Sequence, residues 1–200
     1  MTMQPIERFM RNGLRVSLYH DEDATSPREN DNLCTMVCKH RRYALGDKGA
    51  AEPPEDALAV LPLYLYDHSG LSISTGAFAD RFDSGLLGFA YVTKARAETM
   101  GCVGTYTYEG VTKTWDREAY EDTIRGEVAN YDDYLRGNNY GYVVETPEGE
   151  HLDSCWGFTG DLDYVRQEAC SVADANENPE VDVLTARATY AGPYTAETGS

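Results

Sequence analysis

Leu58-Ala-Val-Leu-Pro-Leu-Tyr-Leu-Tyr66, followed by Asp67-His-Ser-Gly70 and Leu71-Ser-Ile-Ser-Thr75, decides the fold. The first run is the strongest apolar stretch of the chain, and the last resumes strand-like alternation. Between them Asp67 offers a carboxylate to local backbone N–H groups and Gly70 accepts φ > 0. The three pieces read as a β-hairpin with a four-residue turn. Asp83-Ser84-Gly85 repeats the turn chemistry ahead of another strand, Leu86 to Thr93.

Working outward, Leu14, Val16 and Leu18 alternate with Arg15, Ser17 and Tyr19, a half-buried strand, and Leu33 to Lys39 reads as a second. The segment Ala44 to Asp56, with Gly46, Gly49, Pro53 and Pro54, reads as an exposed loop. Downstream, Tyr120, Ile124, Val128, Tyr131 and Leu135 fall on one stripe of a helix from Trp115 to Arg136, with Gly137 as its C-terminal cap. Tyr140 to Thr146 and His151 to Trp156 form a hairpin, and Asp161 to Ala175 a second helix. Strands first, then helix, hairpin and helix, predict an α+β fold: an antiparallel sheet with two helices packed on it. The expected domain covers residues 14–175, with an extension at 1–13, an exposed loop at 44–57, and a tail from 176 that holds a strand at Val181 to Leu184.

Two hundred residues suit one domain, and 15 Tyr with 5 Phe supply bulky core material. No run approaches the ~20 apolar residues of a membrane span. The start carries Glu7 and Arg8 with no apolar centre, so no signal peptide is expected. Five cysteines, an odd number in a chain this long, point to reduced thiols in a cytosol.

The formal net charge is -17. Residues 1–108 hold 14 Asp+Glu against 11 Lys+Arg, and residues 109–200 hold 20 against 6, so the imbalance is -3 before and -14 after. Such a field repels nucleic acid and anionic membranes and attracts basic protein surfaces over about a Debye length. Arg41-Arg42 is the one basic pair, and no phosphate-cradling glycine loop is present, which argues against direct nucleic-acid binding. Lysine is scarce, 4 against 13 Arg, as in salt-adapted or high-GC proteomes, so part of the acid also serves solubility.

Asp116, Glu118, Glu121, Asp122, Glu127, Asp132 and Asp133 line the first long helix. They span roughly 26 Å at 1.5 Å per residue, about one charge per 4 Å, close to the ~3.4 Å phosphate spacing of one DNA strand. That row is the candidate partner-binding site, a DNA mimic offered to a basic groove. Glu145, Glu148, Glu150, Asp153, Asp161 and Asp163 widen it if the hairpin packs beside the helix. Asp67-His68-Ser69 holds the residue types of a hydrolase triad, but adjacent backbone positions do not converge, so a turn is expected. Cys34 and Cys38 would lie ~13 Å apart in an extended strand, too far to share a metal with His40. Neither a metal nor a cofactor is expected. Ser154-Cys-Trp-Gly-Phe158 reads as a packing corner with Trp156 and Phe158 in the core; a reactive Cys155 would need a neighbouring cation.

The run from Leu61 to Gly70, with Ser72 to Thr75, Asp83-Ser-Gly85 and the Ser154 to Phe158 motif, resembles a family of small acidic proteins of bacteriophages and mobile elements. Phe82 stands where that family carries Trp. The resemblance implies an accessory role, of which anti-defence is a frequent kind. The leading expectation is therefore a non-enzymatic inhibitor whose acidic helix occupies the nucleic-acid groove of a CRISPR effector or restriction enzyme. A second is a binder that sequesters a small nucleotide signal in a pocket of Tyr64, Tyr66, His68, Ser74 and Asp83, with Arg81 and Lys94 as nearby cations. A third is an enzyme using His68 with Asp67 or Asp83 as acid and base.

Overall fold

The computed structural model describes residues 3–80 and 82–176. Arg81, and the tail beyond Asn176 with its expected strand at Val181 to Leu184, lie outside the described residues. The chain opens with β1 (Glu7–Arg11) and β2 (Leu14–His20), then β3 (Thr35–Cys38), β4 (Ala59–Asp67), β5 (Leu71–Ser74) and β6 (Ser84–Val92). A short helix α1 (Lys94–Thr99) leads to the hairpin β7 (Thr105–Tyr108) and β8 (Val111–Thr114). The long helix α2 (Arg117–Leu135), the strands β9 (Asn139–Glu145) and β10 (His151–Thr159), and α3 (Leu162–Ala175) complete the order. The fold is α+β with antiparallel sheets, as the order of elements predicts.

The stretch read as an N-terminal extension supplies β1. Its pairing with β2 turns at Asn12-Gly13, both at positive φ (47° and 75°), the geometry that makes Asn-Gly a hairpin signal. β7 and β8 also escape the sequence reading, because their residues are polar or exposed on both faces and carry no burial period.

The chain divides into two compact units, one made of residues up to Glu22 and from Tyr140 onward, the other of Asp23–Asn139. The terminal unit holds a four-stranded sheet in the order β1-β2-β9-β10. Leu14, Val16, Leu18, Tyr142 and Val144 face α3, which answers with Val165, Ala169 and Ala173. These recur every four residues, and the two alanines let the helix lie close to the sheet. Ser154 to Phe158 is not a corner but the middle of β10. Phe158 packs on this core, whereas Trp156 stays 40 % exposed on the opposite face, laid over Gly141 of β9. The ring occupies the gap that a missing side chain leaves.

The central unit holds the second four-stranded sheet, ordered β3-β6-β4-β5. The deciding hairpin is β4 with β5, in register Tyr64↔Ser74 and Tyr66↔Ser72. Ser69 (φ 57°) and Gly70 (φ 150°) make the reversal. Leu63, Leu65, Ile73, Leu87 and Val92 pack against the α2 stripe Tyr120, Ile124, Val128 and Tyr131. Ile124 is fully buried, a burial contributing about 1.5–3 kcal/mol. Each long helix thus takes its own sheet. The loop at 44–57 is tied down at its start. Gly46 bridges to Val37, and a Cβ there would stand 2.6 Å from the Met36 carbonyl oxygen. Asp47 accepts the Met36 amide. Among the described residues, no helix is long and apolar enough to cross a membrane.

Candidate functional site

The seven carboxylates of the α2 row are mostly spent inside the central unit. Asp116 is the N-cap and accepts the Ala119 amide. Glu121 sits between Arg117 and Arg125, whose hydrogen bonds hold its carboxyl below the usual glutamate range, and Asp122 also pairs with Arg125. Glu127 accepts the amides of Leu33 and Cys34 and pairs with Arg28, itself 5 % exposed and forked onto Asp47. Asp132 accepts the Ser72 hydroxyl and the Ile73 amide, and Asp133 the Asn138 side chain. Among the described residues, Glu118 alone of the seven has no partner. The row is continuous in sequence, but its side chains do not present a regular ladder of free charge.

The asymmetry along the sequence is also redistributed by folding. Residues 23–139 carry 19 Asp+Glu against 12 Lys+Arg, and the remaining residues carry 15 against 5, giving -7 and -10. The acidic helix belongs to the central unit, whereas Glu145, Glu148, Glu150, Asp153, Asp161 and Asp163 belong to the terminal one.

A different constellation forms where the two turns of the central unit meet. The Asp67 amide donates to the Asp83 carbonyl at 2.9 Å, which draws the loop before β6 against the end of β4. His68 Nδ1 then lies 2.9 Å from Asp83 Oδ2, and the imidazole stacks on Tyr66 with ring centroids 6.0 Å apart. The Asp67 side chain turns the other way, accepting from the Tyr43 hydroxyl at 3.0 Å and from Arg42 at 2.8 Å. His40 stacks on Tyr43. Asp67 and His68 therefore point to separate partners, and Ser69 makes the reversal at φ 57°, as a turn requires. A cavity of about 360 Å³ opens here, lined among others by His40, Arg42, Asp67, Phe82, Asp83 and Leu86.

Of the five residues expected in a pocket, Tyr66, His68 and Asp83 come together. Tyr64 and Ser74 pair one rung further along the same outward face of the sheet, opposite the core side chains Leu63, Leu65 and Ile73. Asp83 lines the 360 Å³ cavity, while Ser74 lines another beside Asp132 and Arg136. Lys94 opens α1 and faces Glu98. Among the described residues, the cation brought to the cavity is Arg42, which the sequence offers only as half of an isolated basic pair. Phe82 was legible as an aromatic next to a turn, but nothing in the sequence shows that it projects. Cys34 precedes β3 and Cys38 ends it, as buried and half-buried thiols; burial pushes Cys38 up to about 12 and Cys34 further still, so both stay protonated.

No family model matches the chain, and no curated protein or solved structure matches it either.

Proposed function

We propose that the protein is a non-enzymatic inhibitor carried by a bacteriophage or mobile element, acting in the host cytosol on a basic, nucleic-acid-binding defence complex. It contacts that complex as protein on protein, without touching nucleic acid or membrane. The observation that carries this reading is Phe82, 99 % exposed while its own amide and the neighbouring Asp83 and Ser84 are held by hydrogen bonds. The Phe82 amide donates to Asp80, the Ser84 hydroxyl donates to the Asp80 carbonyl, and Asp83 is held by both Asp67 and His68. An aromatic ring presented on a preorganised loop loses little conformational freedom on binding, which favours it as an anchor. The partner's sign follows from the charge. Internal ion pairs leave the net -17 intact, because every arginine in them is already counted, so long-range attraction to a basic surface persists.

The test is phage plating on hosts bearing restriction or CRISPR systems, with and without the protein. Wild type raises plating at least tenfold in one such host, Phe82→Ala returns it to baseline, and Glu118→Gln with Asp122→Asn leaves it raised. Equal plating with and without the wild-type protein across the panel overturns the reading.

The His68–Asp83 pair beside the 360 Å³ cavity favours a second reading, a sequestered small nucleotide. Cyclic nucleotides then raise the melting temperature, and His68→Ala abolishes the rise; no shift with any of them removes it.

A further inference from the structure

Both edge strands of the central sheet are covered in part, but the start of β6 extends past β3 and is left open. On β5, Asp132 takes the Ile73 amide. On β3, Asp47 takes the Met36 amide and donates its own to the Met36 carbonyl, and Gly46 bridges to Val37. Open strand edges recruit other strands, and covering them with side chains or loops is the usual remedy. β6 spans Ser84–Val92, but its neighbour β3 pairs only with Gly88 to Tyr91. The Lys39 amide adds one more bond, to the Leu87 carbonyl, before the chain turns away at His40. Ser84 to Leu86 has β4 on one side and the cavity on the other.

The ladder's phase says which groups face that cavity. Asp83 uses its carbonyl toward β4, so in an antiparallel pair Gly85 does too, and the N–H and C=O of Ser84 point away. Beside this stretch stand Leu86, 60 % exposed, and Phe82. Arg42 is matched by Asp67, while Asp83, among the described residues, pairs with His68.

We propose that this edge receives an extended segment of a basic partner protein, added antiparallel to β6 in line with β3. The inference rests on the proposed function and names the mode of contact. The unpaired backbone groups call for a strand. Leu86 and Phe82 call for an apolar side chain, and Asp83 with the net charge of the chain for a basic one, so the segment alternates apolar and basic residues.

The experiment selects decapeptides from a random displayed library on the full chain, then measures the selected peptides. The expected result is apolar–basic alternation, slowed hydrogen exchange at the Ser84 amide, and at least a tenfold loss of affinity when the peptide's edge-facing amides are N-methylated. Peptides that bind without protecting that amide, or that tolerate methylation, overturn the proposal. So does protection that grows with protein concentration in the absence of peptide, which assigns the edge to a second copy. Leu86→Pro, checked for an unchanged melting transition, separates this proposal from the reading beneath it. If plating stays raised with Leu86→Pro and is lost only with Phe82→Ala, strand addition is wrong and the inhibitor reading stands. If neither variant changes a raised plating, the site itself is wrong.

Discussion

Asp132 Oδ1 on α2 stands 2.7 Å from the amide nitrogen of Ile73 on β5, and the same oxygen accepts the Ser72 hydroxyl. One carboxylate of the helix is therefore a seal on the sheet edge. Asp132→Ala leaves that amide without its partner and costs about 1–3 kcal/mol. Urea denaturation checks the loss of stability, and light scattering checks the self-association expected of an unsealed edge. Asp132→Asn keeps an acceptor oxygen and recovers part of the stability.

The same helix shows why the fold was legible and the site was not. Tyr120, Ile124, Val128 and Tyr131 announce their burial through spacing, because the helix period maps sequence onto a face. No such rule tells a solvated glutamate from one that reaches across to another element. Glu127 meets Leu33 across 94 residues of sequence. His68 and Asp83 share a turn chemistry, yet only the register of β4 on β6 brings them together. Long-range pairing of polar groups leaves no periodic trace. The two-sheet arrangement was hidden for a related reason: β2 pairs with β9, distant in sequence, and alternation along either strand names no partner.

Arg28, with a side chain 5 % exposed, holds Asp47 and Glu127 on opposite sides. Burial, the largest single influence, lowers its pKa, but the hydrogen bonds to Asp47 and Glu127 and the surrounding negative charge together outweigh it, so the charge is retained. Arg28→Met leaves two carboxylates facing each other without a cation and costs about 3–5 kcal/mol. Arg28→Lys falls between, since an ammonium cannot fork onto Asp47 while reaching Glu127. Glu118→Gln, on an exposed and unpartnered member of the same acidic row, stays within about 0.5 kcal/mol. Chemical denaturation of the three variants checks the order, and equal losses from Arg28→Met and Glu118→Gln would refute it.

In the terminal unit, Arg11 is forked onto Asp174, and Asn12 donates to the same carboxylate. The Arg11 hydrogen bonds hold the Asp174 carboxyl below the usual aspartate range. A depressed folded pKa means the unfolded chain binds the proton more readily. The stabilisation is therefore complete above the unfolded value of about 3.9 and disappears as pH falls through the lower folded one. Asp174→Asn is accordingly less stable than wild type at neutral pH, and the two converge in strong acid. Melting temperatures followed from pH 7 to pH 2 check this. A gap that widens toward low pH contradicts the sign.

Gly141 lies under Trp156, and a Cβ built there would stand 2.2 Å from the indole ring and 2.9 Å from the Cys155 carbonyl oxygen. Real side chains do not approach so closely, so in Gly141→Ala the ring must leave. Trp156 also rests near Tyr19, with centroids 5.8 Å apart, and loses that contact as well. The expected cost is about 1–3 kcal/mol, the range for forcing a methyl into a filled space. With Trp115 replaced by Phe, the remaining indole reports the event as a red-shifted emission. The double variant Gly141→Ala, Trp156→Ala decides how much of the cost belongs to the ring. If the ring is the obstacle, the methyl is cheaper in that background than in wild type. An undiminished cost assigns the strain to the Cys155 carbonyl and the strand pairing of β9 with β10.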